Sequence, residues 1–332
     1  MRRQGFSLSI VSILSIVLSL AIVISGCAAT KAPDTNQPTK SAGKTVKIGV
    51  LPIEDNLPFY VAEKDGLFAK EGVQVELVSF ASAIERDAAM QAGQIDGEVA
   101  DLVAVALLKK IGTDVKIASI GLGATPAEGR FAILSSPKSN IKDLSGLKGA
   151  TLGISQNSII DYVSDQMLLD KGVMLNDVKK MSIPKMPVRL DMLLSDQIDA
   201  ACLPDPLASL AQAKGAHLIS DDTYRNISQT VFLFRTQSIQ ENPEGIKAVV
   251  RVYGSAGQAL SKNPEQYRSL FLEKAQIPAE LKESYKTPTF SKLQLPTEEE
   301  INSVMKWMVD KKLIPQAYTY QDLVDSSLLP KS

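Results

Sequence analysis

Several polar residues in this chain stand where they can do chemistry. Glu54, Asp55 and Asn56 lie directly before the apolar run "LPFYVAEK". Together they offer carboxylate and amide acceptors, plus one amide donor, to a bound molecule. The same residues also suit a helix start, with Asn56 as cap and the acids favoured by the positive end of the helix dipole. Asp101 and Asp205 each open a helical run, and Asp205 is followed by Pro206, a residue favoured in the first helical turn. As caps they are structural. Facing a cleft, they suit an amine or another donor-rich molecule, because an unpaired buried carboxylate is costly. Arg130 and Arg189 point the other way. Either can grip an acidic group through a two-pronged hydrogen bond, or pair with carboxylates at the surface or between lobes.

Ser82, with Glu85 three residues on, reads as a capping box. Ser155, Gln156, Asn157 and Ser158 form a polar cluster ahead of a helical run over about 157–171. A helix start leaves backbone N–H groups free, so capping and ligand contact can coexist at Ser82, Ser155 and Asn157. Phe59 and Tyr60 offer either an aromatic wall or ordinary core. Lys185 and Met186 lie in a loop placed to close over such a site.

What is scarce also limits the chemistry. His217 is the single histidine, and Cys27 and Cys202 are the two cysteines. That leaves no material for a thiol zinc cluster or a histidine-based triad, and no cofactor or metal is expected. Cys202, in the apolar run "DAACLP", reads as a small core residue. The net charge of −1 carries no basic excess for a nucleic-acid partner. No repeat array points to a surface adhesin.

These residues are positioned by an alternation of strands and helices. "VKIGVLP", "QVELVSF", "DGEVA" and "VKIASIGL" read as strands separated by helical runs. The pattern restarts with "RFAILSS", "ATLGIS", "VKKMSI", "DAACLP" and "AHLIS", and "QTVFLFRT" is one more strand. Such alternation predicts parallel sheets covered on both faces. The remainder is helical, with starts at Asn242-Pro243, Asn263-Pro264 and Thr297-x-x-Glu300; Trp307 reads as core. "GQIDGEVAD" and "DQIDAACLPD" echo one another: each has Gln-Ile-Asp, a small-residue strand, then an aspartate. Two sheets of similar design can face each other across one cleft, because ligands of open α/β sheets sit at the carboxyl ends of the strands. The "EDN" loop then lines that cleft.

The N-terminus reads separately. Arg2 and Arg3 precede an apolar run from Phe6 to Ile24, and "ISGC" resembles a bacterial lipobox that makes Cys27 the acylated first mature residue. Residues 1–26 are expected to be a lipoprotein signal peptide, and residues 27–45 a flexible tether.

Taken together, "LPFYVAEKDGLFAKEGVQVELVSF", "ERDAAMQAGQIDG", "LSGLKGATLGIS" and "LSDQIDAACLPDPLA" resemble the solute-binding lipoproteins of ABC importers of the nitrate/taurine/sulfonate (NMT1/THI5-like) group. The resemblance covers nearly all of residues 46–235. It implies a two-lobed type II periplasmic-binding-protein fold, with lobe 1 over 46–125 plus 231–332 and lobe 2 over 126–230. It implies a monomer held at the outer face of the membrane by its lipid, closing on a small molecule and delivering it to a permease and ATPase. Where many relatives carry a Glu-Pro pair, this chain has "PDP", and its first loop is unusually acidic. The acids lean the expected solute toward a nitrogen-rich heterocycle or amine, with an oxyanion such as a sulfonate as the alternative. A pyrimidine-synthesis enzyme or lyase on the same fold is the rival reading.

Overall fold

The computed structural model describes residues 44–330, apart from 127 and 226. The expected signal peptide, the acylated Cys27 and most of the tether lie outside the described residues. Among these, no helix is long and apolar enough to cross a membrane.

The first sheet is built from β1 (Val46–Val50), β2 (Val75–Ser79), β3 (Gly97–Asp101), β4 (Val115–Ile120) and β10 (Thr230–Arg235), in the order β2-β1-β3-β10-β4. The second comprises β5 (Phe131–Ser135), β6 (Thr151–Ile154), β7 (Lys179–Ser182), β8 (Ala200–Pro204) and β9 (His217–Asp221), in the order β7-β6-β8-β5-β9. The helices between them are α1 (Leu57–Lys64), α2 (Leu67–Lys70), α3 (Ala83–Gln91), α4 (Leu102–Lys110), α5 (Ile159–Asp170), α6 (Met186–Leu194) and α7 (Leu207–Ala213). After β10 come α8 (Thr236–Glu241), α9 (Pro243–Lys262), α10 (Arg268–Lys274), α11 (Glu298–Asp310) and α12 (Tyr320–Leu323).

The expectation of purely parallel sheets needs correction. β10 runs antiparallel between β3 and β4, and β5 runs antiparallel between β8 and β9. The reason is where the chain crosses. β4 ends at the carboxyl edge of the first sheet, and the chain enters the second sheet at its carboxyl edge too. Thus Phe131, the first residue of β5, pairs with Pro204 at the end of β8, and Thr230 pairs with Asp101 at the end of β3. A strand entering from that edge must run against its neighbours. Both crossings, residues 121–130 and 222–229, therefore lie on the side where the candidate site residues collect.

Strands β3, β8 and β10 are buried almost throughout, as expected for sheets covered on both faces. Phe59, Phe232 and Tyr253 meet with ring centroids 4.8–5.2 Å apart, locking α1 and α9 onto the first sheet. Helix α11 packs on α4. Its start is a full capping box between Thr297 and Glu300. Asn242 caps α9 through the Gly245 N–H, whereas Asn263 makes no side-chain cap bond. The Ser82 box is only half made: Ser82 accepts from the Glu85 N–H, but the Glu85 carboxylate reaches back to Ala81.

Gly97 opens β3 beneath Phe234. A Cβ built there would lie 2.5 Å from the Phe234 ring and 2.9 Å from the Leu233 carbonyl oxygen. Gly97→Ala is expected to cost about 1–3 kcal/mol, the usual range for overpacking a core, read as a lowered urea midpoint with an unchanged slope. An unchanged midpoint would mean that the strand pair is looser than this packing implies.

Candidate functional site

The loop after β1 folds as a 3-10 turn over Glu54–Asn56 and buries all three polar side chains, at 6%, 8% and 0% exposure. Asn56 does not cap α1 with its side chain; its amide instead donates to the Leu51 carbonyl at 3.1 Å, pulling the loop back over the strand end. The Tyr253 hydroxyl donates to the Asp55 carbonyl at 2.8 Å. That leaves the Glu54 Oε1 and Asn56 Oδ1 acceptors buried with no donor among the described residues. Burial pushes the Glu54 carboxyl up to about 8; a hydrogen bond from Tyr285 opposes this, while Asp55 and Asp205 add to it. Asp205 follows β8 in the other sheet, so the carboxyl ends of β1 and β8 lie within electrostatic reach. Burial raises Asp55 too, with Thr230 and Arg86 pulling back.

The aspartates at the ends of β3 and β8 both serve helix starts. Asp101 accepts from the Val103 and Ala104 N–H groups at 2.9 and 3.0 Å. Asp205 acts from one position further out than expected, since Pro206 occupies the cap position itself. It accepts from the Ser209 N–H and hydroxyl, both at 2.8 Å. Arg130 spends its fork inside the second sheet's half, on Asp221 at 3.0 Å, Asp205 at 3.4 Å and Gln212 at 2.8 Å. Around the loop after β6, Ser158 caps α5 and donates to the Ser155 carbonyl at 2.6 Å. Asn157 takes a left-handed backbone (φ 60°), donates its N–H to Asp161 at 3.0 Å, and leaves its side chain exposed.

The structure decides one open reading and changes another. Phe59 is no aromatic wall: it is fully buried against Phe232 and Tyr253, because α1 turns that face onto the sheet. Arg189 is neither a surface residue nor part of an ion pair. It is fully buried on α6 and donates Nη1 to the Ile183 carbonyl at 2.8 Å, while Nε and Nη2 find no partner among the described residues. Burial holds its pKa below the usual guanidinium value.

Residue reading missed Arg86, its partner Glu98, and Tyr285. Arg86 donates to the Val99 carbonyl at 2.6 Å and pairs with Glu98 at 3.2 Å and Asp87 at 2.8 Å. A signal was available: Arg86 and Arg189 each precede a Gln-Ile-Asp by eight residues. The two arginines are therefore counterparts in the repeated half-design, and Gly49 and Gly153 lie over their side chains in the same way. Tyr285 comes from a stretch without regular structure, where periodicity says nothing. Stacked 6.0 Å from Phe271, it meets the fields of Glu54, Asp205 and Arg130 at once.

Known proteins share both sequence and shape with this chain. The model of the NMT1-like family matches residues 39–271. A Brachyspira hyodysenteriae protein, named provisionally as an ABC transporter periplasmic binding protein, is 24% identical over 261 residues, 74% of each chain. The periplasmic aliphatic sulphonate binding protein SsuA of Escherichia coli superposes with a TM-score of 0.73 at 18% identity, covering 86% of this chain and 99% of its own. The desulfurization enzyme DszB superposes with a TM-score of 0.62 at 13% identity, covering 86% and 97%. At such identities the two structures show the fold alone: a periplasmic-binding-protein architecture.

Proposed function

Because this chain belongs to the NMT1-like family, we propose that it is the extracytoplasmic solute-binding component of an ABC importer, held at the membrane by a lipid on Cys27. The solute sits between the carboxyl edges of the two sheets. Contacts to both edges make it bind the closed arrangement better, which shifts the population toward closure and presents that form to the permease. The first edge offers Glu54, Asp55 and Asn56, with Asp101 and Ser82 at the neighbouring helix starts. The second offers Ser155, Asn157 and Asp205. The single observation that carries the solute class is the pair of buried acceptors, Glu54 Oε1 and Asn56 Oδ1, which have no donor among the described residues. A solute bearing N–H donors satisfies them, a cationic amine by ionising Glu54 against its raised pKa and a heterocycle by donating to its uncharged carboxyl, and so either fits this edge.

Receptor chemistry also suits the thiol. Cys202 is buried and its pKa is pushed up to about 11 by that burial, which makes it a poor nucleophile at neutral pH. A second reading, an oxyanion, is favoured by Arg189 with its two unpartnered nitrogens.

A thermal-shift panel of amines, nitrogen heterocycles, sulfonates and nitrate separates the two. At about 100-fold excess over Kd, the matching class should add about 2.7 kcal/mol, or roughly 5–10 °C in Tm. If only sulfonates or nitrate raise Tm, the donor-rich reading fails and the arginine reading takes its place.

A further inference from the structure

Away from the strand ends, a buried charged cluster joins the second sheet's helices to α11. Asp161 and Asp165 lie one turn apart on α5, and neither is exposed. Lys180 of β7 donates to Asp161 at 2.7 Å and also to Asp165. Lys311, just past α11, donates to Asp161 at 2.7 Å and lies 3.0 Å from Asp165. The Trp307 indole N–H of α11 donates to Asp165 at 2.9 Å, and Tyr162 and Ser303 pair at 2.9 Å. Two carboxylates facing two ammoniums are charge-balanced, and every carboxylate oxygen has a donor. Removing one partner from such a cluster strands a buried charge, so the cluster acts as a unit.

One acceptor in the cluster is shared with the candidate site. Asp161 Oδ2 takes both the Lys311 ammonium and the backbone N–H of Asn157. Asn157 holds a left-handed conformation, which asparagine adopts more readily than most side-chain-bearing residues, and its N–H bond to Asp161 ties that conformation to the cluster. Helix α11 in turn packs on α4 of the first sheet's half, and the stretch before it accepts the Ile120 N–H through the Gln294 carbonyl at 2.7 Å. One carboxylate thus joins the loop after β6 to an element seated on the other sheet.

We propose that Asp161 and Lys311 are positioning residues for the Ser155–Ser158 loop, through which the C-terminal helix α11 sets the geometry of the second sheet's solute contacts. This rests on the reading that the loop touches solute. Neither residue contacts the solute itself. Lys311 holds the Asp161 carboxylate in place, and Asp161 holds the Asn157 amide. The Ser155–Ser158 loop is then pre-ordered before solute arrives, which lowers the ordering cost of binding.

Amide hydrogen exchange on the solute-free chain tests this. Lys311→Met should speed exchange of the Asn157 amide, which donates to Asp161, by about tenfold or more, a change that follows from losing roughly 1.4 kcal/mol of local protection. The strand β6 amides should stay at their original rates. Lys306→Met, which breaks an exposed pair with Asp310 in the same helix, should leave the loop unchanged. Asp161→Asn keeps the shape and one acceptor while losing the charge, and should give a smaller rise at the same amide. It carries the test alone if Lys311→Met does not fold. Exchange that rises across α5 and α11 together, with no excess at the Asn157 amide, would assign the cluster a purely structural role and overturn the proposal. Because no solute is present, either outcome leaves the solute reading to its own panel.

Discussion

At about pH 9, Glu54→Gln is expected to melt roughly 5–10 °C above the unsubstituted chain, while at about pH 5 the two melt together. The cause is burial. Glu54 sits in the turn after β1 with its pKa raised from an ordinary 4.5 to about 8, because the loop removes it from water and the carboxylates of Asp55 and Asp205 oppose its charge. The sign follows from proton binding. Between these two pKa values the folded chain holds a proton that the unfolded chain has released, so stability falls as pH rises. The contribution is complete below about 4.5 and is lost as pH passes through about 8. A shift of that size corresponds to a few kcal/mol, at about 1.4 kcal/mol per pH unit. Glutamine keeps the shape, stays neutral throughout, and so escapes the loss. Asp222, pushed up to about 6 by burial, titrates in both chains and cancels from the comparison. Melting curves from pH 5 to 9 that run parallel for the two chains would mean Glu54 is ionised without penalty.

The paired arginines supply the second large effect. Arg86→Met should cost about 3–5 kcal/mol, the usual penalty for stranding one member of a buried ion pair. Glu98 is fully buried, which pushes its carboxyl up to about 8 against the pull of Arg86, so losing Arg86 leaves an unpaired buried acid. Arg189→Met should cost less than about 1 kcal/mol, because replacing an unpaired buried charge by an apolar side chain of similar length relieves desolvation. Aligned on the two Gln-Ile-Asp segments, Glu98 corresponds to Ala201, and Asp87 corresponds to Leu190. The second half thus carries the arginine with neither carboxylate. Urea midpoints of the two variants decide the matter: equal losses would show that Arg189 has a stabilising partner beyond the Ile183 carbonyl.

Much of the frame was legible from the residues, because it rests on local physics. The alternation of strand and helix runs, the Asp101 and Thr297 caps, and the core placement of Cys202 and Trp307 all depend on near neighbours along the chain. The Gln-Ile-Asp echo foretold two sheets of one design, and their observed strand orders correspond position for position. Local reasoning left a choice open where a partner came from far away. Phe59 reads as either wall or core, and Phe232 and Tyr253, far along the chain, decide for core.

What the amino-acid order determined by itself is the set of elements, their repeated design and the acids at the strand ends, since periodicity and capping act over a few residues. What only the tertiary structure decided is which of those charges are answered. Glu98 meets Arg86, Asp161 meets Lys180 and Lys311, and Glu54 feels the charge of Asp205 only once two sheets and a distant C-terminal helix come together. Burial and pairing are properties of that assembled space, and they turn identical side chains into a cap, a buried ion pair or an unanswered acceptor.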